Sequence, residues 1–304
     1  MRLIRPDGPG LIIVPTGAGW DITSVYLVGP MPVIVLLHDN NIQYSYFVFP
    51  NEGKIPTAEG CRDTLVSGIL SDPKFPKVTD KQLSASKLKD GTPVALETFL
   101  IPRIFPRLPM PQENVFAIVG NANTCVGAHF TRIPITPPPN PLLADVQSTI
   151  ESLTFDLSYT PVSSDYGYFG YVLLDQKDFR TAALYYRRAL DTTSDAPAAN
   201  IHRILVDELS MCLGEIGDQK ENRKVLEAAI ASDPDYPFYY YNLALMDAFA
   251  GDAAAARSHL QLAFDRRANT LKGDHLPDPT QDAGLLKLKH NKEFWLFVEA
   301  LPKN

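Results

Sequence analysis

GDQKENRKVLEAAI, residues 217–230, returns 34 positions later as GDAAAARSHLQLAF, residues 251–264. The two stretches match Gly217 with Gly251, Asp218 with Asp252, Leu226 with Leu260 and Ala229 with Ala263. A recurrence at this period marks a repeat architecture, with Gly-Asp as the turn between two helices. One helix further back, QKDFRTAALYYRRAL (176–190) carries Asp178, Phe179, Ala182, Tyr186 and Ala189 at the corresponding turn, aromatic, small, large and small positions. Gly170 and Ala244 hold the small position of the preceding helices. Antiparallel helices approach to about 8 Å only where side chains are small, so Ala and Gly set the contact while the large residue fills the groove. Pro234, after AIASD, ends one helix and opens the next turn.

These positions resemble the tetratricopeptide repeat (TPR), over residues 163–268. Two features depart from its pattern: Asn222 replaces the alanine found at Ala182 and Ala256, and the first repeat is lengthened by about six residues around PAANIH. The tail, residues 269–304, resumes helical spacing in DAGLLKLK and KEFWLFVEAL. It resembles the closing segment of bacterial TPR arrays, which implies that Phe294, Trp295 and Phe297 bury against the last repeat. The resemblance further implies that the first helix of each pair lines a concave face, here carrying Tyr168, Tyr171, Asp175, Asp207, Met211, Tyr241, Asn242, Leu245 and Phe249. Family members that hold acidic C-terminal peptides place Lys and Arg there, and these positions are not basic. The expected partner is therefore a protein or extended peptide of neutral to basic character, with aromatic side chains supplying contact area. The competing expectation is that YPFYYYNLAL is inter-repeat core.

Upstream of Pro161 the pattern is different. Residues 20–49 alternate with period two, and IQYSYFVF places Ile42, Tyr44, Tyr46 and Val48 on one face. SVYLV and VIVLL precede it, and HDNN (38–41) suits the turn of a hairpin between VIVLL and IQYSYFVF. PTAEGCRDTLVSGILSDP then switches to helical spacing, with Leu65, Ile69 and Leu70 on one side and a stop at Asp72-Pro73. A polar, Lys-rich loop follows. VALETFLI, NVFAIVG and CVGAHFT read as strands, with the Pro-rich turn PRIFPRLPMPQEN between the first two, and TPPPNP introduces a last helix over 142–153. The expectation is an α+β layer, an antiparallel sheet hiding one apolar face under covering helices. Residues 20–158, through FVFP, AEGCRDTLVSGIL, GTPVALETFLIP, NVFAIVG and ESLTFDL, resemble the PsbP/Mog fold. That resemblance implies a binding or accessory role and assigns no site. Residues 1–19 are left as an N-terminal arm.

The chain has 304 residues, 45% of them apolar, which fits two domains. Its 28 basic and 35 acidic residues give a net charge of −7 without a Lys/Arg cluster, against nucleic acid or an anionic membrane as partner. The longest apolar run, residues 26–37, is too short to span a bilayer and holds Pro30 and Pro32, so no membrane insertion is expected. Pro6, Gly8, Pro9 and Gly10 break the N-terminal apolar stretch, so no signal peptide is visible and the expected location is cytoplasmic, or exported if a leader precedes the sequence. Cys61, Cys125 and Cys212 show no C-x-x-C spacing. Buried, inert thiols are expected, the alternative being a Cys61–Cys125 pair in an exported protein.

No chemistry is legible. His38, His129, His202, His259, His275 and His290 lie far apart without metal-ligand spacing, and no G-x-S-x-G, G-x-x-x-x-G-K-[ST] or G-x-G-x-x-G occurs. PTGAGWD precedes a strand and reads as a turn, since a phosphate loop needs a helix behind it. No cofactor and no enzymatic activity are expected. The leading expectation is a non-catalytic interaction scaffold or assembly factor. The alternative is an accessory module binding a small molecule or stabilising a complex through the sheet domain, in a pocket lined by Tyr44, Tyr46 and Phe116.

Overall fold

The computed structural model describes residues 1–28, 31–38, 41–52, 55–102, 111–134, 140–192 and 196–302. The chain falls into two compact units, Met1–Gln176 and Lys177–Asn304.

The first unit holds a seven-stranded antiparallel sheet of β3 (Trp20–Val28), β4 (Met31–His38), β5 (Gln43–Pro50), β6 (Thr79–Lys87), β7 (Pro93–Ile101), β8 (Gln112–Gly120) and β9 (Thr124–Arg132), in the order β3-β4-β5-β9-β8-β7-β6. β4 and β5 form the expected hairpin; the turn read at HDNN lies partly, and those read in PRIFPRLPMPQEN and TPPPNP largely, outside the described residues. Residues 1–19, read as an arm, instead supply β1 (Arg2–Ile4) and β2 (Leu11–Ile13), which pair with each other, and β2 also pairs with β10 (Thr154–Asp156).

This second sheet changes the layering expected from the sequence. The central strands β5, β8 and β9 are buried on both faces rather than one, while the edge strands β3 and β6 stay largely exposed. Val33, Val35, Phe47, Phe49, Phe99 and Phe116 form a core with Cys61 and Val66 of α1 (Ala58–Ser71). The cross-strand series Leu36, Tyr44 and Phe130 belongs to the opposite face and is buried too. That face is covered by β1, β2 and α2 (Leu142–Glu151), whose Val146 and Ile150 are fully buried. Strands covered twice lose strict alternation, and β5 accordingly buries six consecutive residues.

Two further readings are corrected. The Lys-rich loop is the edge strand β6, exposed along nearly its whole length and paired with β7. It is anchored by Lys81, whose Nζ lies 2.8 Å from buried Glu97, itself 3.8 Å from Arg62 Nε on α1. Cys61 and Cys125 are not free thiols; they are joined by a disulfide that staples α1 to β9. Gly120, opposite Cys125 in the β8–β9 register, makes room for it: a Cβ there would lie 2.0 Å from the Cys61 sulfur. Cys212 is a buried free thiol, its pKa pushed up to about 12 by burial.

The first helix of the predicted repeats, α3 (Ser163–Asp175), belongs to the first unit, where Asp165 accepts from Arg2 (3.1 Å) and from Tyr159. The second unit contains α4 (Phe179–Asp191), α5 (Ala199–Glu215), α6 (Gln219–Ser232), α7 (Pro237–Ala250), α8 (Ala253–Asp265) and α9 (Lys292–Ala300). The 34-residue recurrence has a local cause. Gly217 and Gly251 take left-handed φ of 78° and 81°, and Asp218 and Asp252 then accept from the backbone N–H of Glu221 and Ala255, capping α6 and α8. Asp178 caps α4 in the same way behind Lys177, a non-glycine residue at φ 62°. Behind each cap the large residues Tyr186, Leu226 and Leu260 and the small ones Ala189, Ala229 and Ala263 are buried. Asn222, the departure from alanine, is buried and donates from Nδ2 to the Ser210 carbonyl of α5 at 3.0 Å. The helix read in DAGLLKLK is a 3-10 turn, Leu285–Leu288, packed on α7. Phe294 is buried against α7 and α8, with Trp295 and Phe297 partly buried beside it.

Candidate functional site

Met211, Asn242, Leu245 and Phe249 converge. With Ser210, Glu215 and Asn222 they line a hollow of about 350 Å³ where α5, α6 and α7 meet. The helix period dictates this: Asn242, Leu245 and Phe249 stand at i, i+3 and i+7 on α7, and Met211 answers from the last turns of α5. Phe249 is 55% exposed, although Lys287 places its Nζ 4.0 Å from the ring centroid and a Cβ on Gly284 would come within 3.3 Å of the ring edge. Part of the α7 face is thus covered by the chain's own residues 284–287.

The other predicted positions are placed differently. Asp207 is tied into the packing, accepting from Tyr236 Oη at 2.8 Å and Asn242 Nδ2 at 3.3 Å. Burial raises its carboxyl to about 7, with Glu208 and Asp274 adding to the rise against the Tyr236 hydrogen bond. Tyr241 is core, buried with its hydroxyl donating to Asp282 at 2.9 Å, and Asp282 in turn accepts from the Gly284 backbone. With Tyr236, Tyr239 and Tyr240 also buried, YPFYYYNLAL is mainly inter-repeat packing. Tyr168, Tyr171 and Asp175 lie on α3 in the first unit, the tyrosines 49% and 59% exposed.

Sequence reading missed two residues. Ile201 and Ile204 are 43% and 41% exposed and share a face of α5 with Glu208 and Met211, at i, i+3, i+7 and i+10. The signal was present as a second apolar row, but α5 also buries Leu205, Val206, Leu209 and Leu213, so periodicity alone does not separate the open row from the core row.

The sheet unit offers no pocket of the expected composition. Phe116 and Ser45 both stand opposite His129 in register, whereas Tyr44 and Tyr46 alternate with Ser45 and point to the other face. A cleft lined by Tyr44, Tyr46 and Phe116 therefore cannot form. His129 stacks on Phe116 at 3.8 Å with Nε2 3.1 Å from Asn114 Oδ1, and burial pushes its pKa down to about 3. Such an imidazole stays neutral and packs as part of the sheet. Among the described residues no group of three His, Cys, Asp or Glu could hold a metal ion, and no helix is long and apolar enough to cross a membrane.

The chain is therefore an α+β protein, an antiparallel sheet with covering helices followed by TPR-like helix pairs. No family model and no curated protein matches the sequence. Among solved structures it is similar to YrrB, described as a TPR protein with an unusual peptide-binding site, at 21% identity and a TM-score of 0.32, over 36% of this chain and 54% of that one. It is also similar to the Sgt2 TPR domain from Aspergillus fumigatus (21% identity, TM-score 0.35, 48% of this chain and 88% of that). A third is PcrH from Pseudomonas aeruginosa (13% identity, TM-score 0.32, 45% and 89%). The chain thus spans about half the length of YrrB.

Proposed function

We propose that this protein is a non-catalytic interaction scaffold whose helical unit holds an extended segment of a protein partner. The observation that carries the reading is the open apolar row Ile201, Ile204 and Met211 on α5, continued by Phe249 across the α5–α6–α7 hollow. Large apolar side chains left in water side by side are unusual away from contact surfaces. Glu208 and Glu215 flank Met211 on the same helix, which favours a segment neutral to basic overall. The sheet unit, PsbP/Mog-like in its order of hairpin, helix, strands and helix, serves in this reading as a rigid platform. The Cys61–Cys125 disulfide favours an oxidising compartment for the protein, the exported alternative.

Display selection with random twelve-residue peptides on the full chain tests the scaffold reading. Enriched peptides are expected to carry apolar anchors and to lose binding to Met211→Asp and to Phe249→Asp, with both variants keeping wild-type circular dichroism. Peptides that bind both variants as well as wild type would place the contact elsewhere and end the reading.

A further inference from the structure

The hollow beside Met211 does not end at Phe249. A second one, of about 600 Å³, shares Gln219, Met246 and Phe249 with it and continues between α6 and α7. The walls differ in charge. The α5 side presents Glu215, whereas the α6 side presents Lys220, Arg223 and Lys224 against a single Glu227. The three cations stand at i, i+3 and i+4 in the first turns of α6, where the helix dipole adds positive potential. Lys220 and Lys224 are exposed, whereas Arg223 already has a partner. Glu221 is engaged by Arg187 at 2.9 Å and lies 3.8 Å from Lys224, whose side chain is 77% exposed. Arg223 is oriented by buried Asp247 at 2.5 Å, a carboxylate shared with His259 Nδ1 at 2.6 Å. Among the described residues no ion pair involves Lys220. Lys287 adds another cation at the Phe249 ring.

We propose that this double hollow selects a charge-segregated segment: an apolar anchor seated on Met246 and Phe249, with acidic side chains immediately on its α6 side facing Lys220 and Lys224. The inference rests on the scaffold reading and sharpens it. A segment neutral or basic as a whole still satisfies Glu208 and Glu215 along α5 while presenting a carboxylate at one fixed place. Specificity arises because an acidic group displaced toward α5 meets Glu215, and a basic group displaced toward α6 meets the exposed Lys220 and Lys224. Steering by exposed cations is screened by salt, so the preference weakens as ionic strength rises.

The same random-peptide selection, run in parallel on wild type and on Lys220→Glu/Lys224→Glu, tests it. Wild type is expected to enrich Asp or Glu next to the apolar anchor, and the charge-reversed protein to enrich Lys or Arg at that position. A fluorescein-labelled wild-type-selected peptide should bind the reversed variant at least 10-fold more weakly in fluorescence anisotropy at low salt, with the gap narrowing at 0.5 M NaCl. Enrichment on wild type with no charge preference beside the anchor, or the same preference on both proteins, overturns the charge-segregated segment and leaves the scaffold standing. No enrichment on wild type removes both. Lys220→Gln/Lys224→Gln guards against misfolding by the reversal, and is expected to lose the acidic preference without gaining a basic one.

Discussion

The sheet unit and the helical unit are stabilised in opposite ways. The first depends on contacts far apart in sequence: a strand order that brings β9 between β5 and β8, a second sheet contributed by residues 1–13 and 154–156, and a disulfide across 64 positions. The second is built from near neighbours, helix against next helix, with an Asp cap every 34 residues between α6 and α8. Long-range closure leaves a sheet whose central strands are covered on both faces. Short-range stacking leaves an open row of side chains along α5 and α7. The comparison teaches what each kind of closure leaves open: in the sheet unit the central strands are covered and exposed apolar side chains sit on the edge strands, Ile22, Tyr26 and Val28 on β3 and Leu83 on β6, whereas the stacked helices present an exposed apolar row along a single helix, Ile201, Ile204 and Met211.

The largest effect expected to divide the two units is that of the disulfide. Cys61→Ser/Cys125→Ser should lower the stability of the sheet unit by about 4 kcal/mol, the chain entropy of a loop of this length. Single-tryptophan variants read each unit: Trp295→Phe leaves Trp20 in the sheet unit, and Trp20→Phe leaves Trp295 in the helical one. Only the Trp20 signal should move to lower denaturant. An equal shift of both would break the division.

Acid should act on the units with opposite sign. His129 is held neutral in the fold, so the unfolded sheet unit binds an extra proton below about pH 6.5, and stability falls with pH from there toward 3 by up to about 1.4 kcal/mol per unit. Asp207 is held protonated up to about pH 7, so its contribution is full below the unfolded carboxyl pKa and is lost as pH rises from about 4 through 7. Between pH 4 and 6.5 acidification should therefore weaken the Trp20 transition relative to the Trp295 transition. His129→Phe should flatten the first slope and Asp207→Asn the second; slopes unchanged in these variants would remove both groups from the account.

A smaller effect is confined to one turn. Asp252→Ala deletes the bond to Ala255 N and should cost about 1 kcal/mol in the Trp295 transition, with none in the Trp20 transition.

The same contrast decides what could be read without coordinates. The Gly-Asp turns, the small and large positions and the α1 boundaries rest on interactions within a few residues, and each stands where the residues point. β6 was hidden because an edge strand exposed on both sides has no alternation to show. The Cys61–Cys125 bond, the β1–β2–β10 sheet and the opposite orientation of Tyr46 and Phe116 all depend on register between distant strands, which composition and period do not carry. Of the positions that the repeat resemblance implies, Met211, Asn242, Leu245 and Phe249 line one hollow, while Tyr241 is core, its hydroxyl bonded to Asp282 41 residues away.

Hydrogen–deuterium exchange with and without a selected peptide tests the central claim most directly, since it reports on both units in one experiment. Slowed amide exchange in α5 and α7, with β4, β5, β8 and β9 unchanged, is the predicted result. Protection centred on the sheet unit, with α5 and α7 unaffected, would contradict the assignment of binding to the helical face.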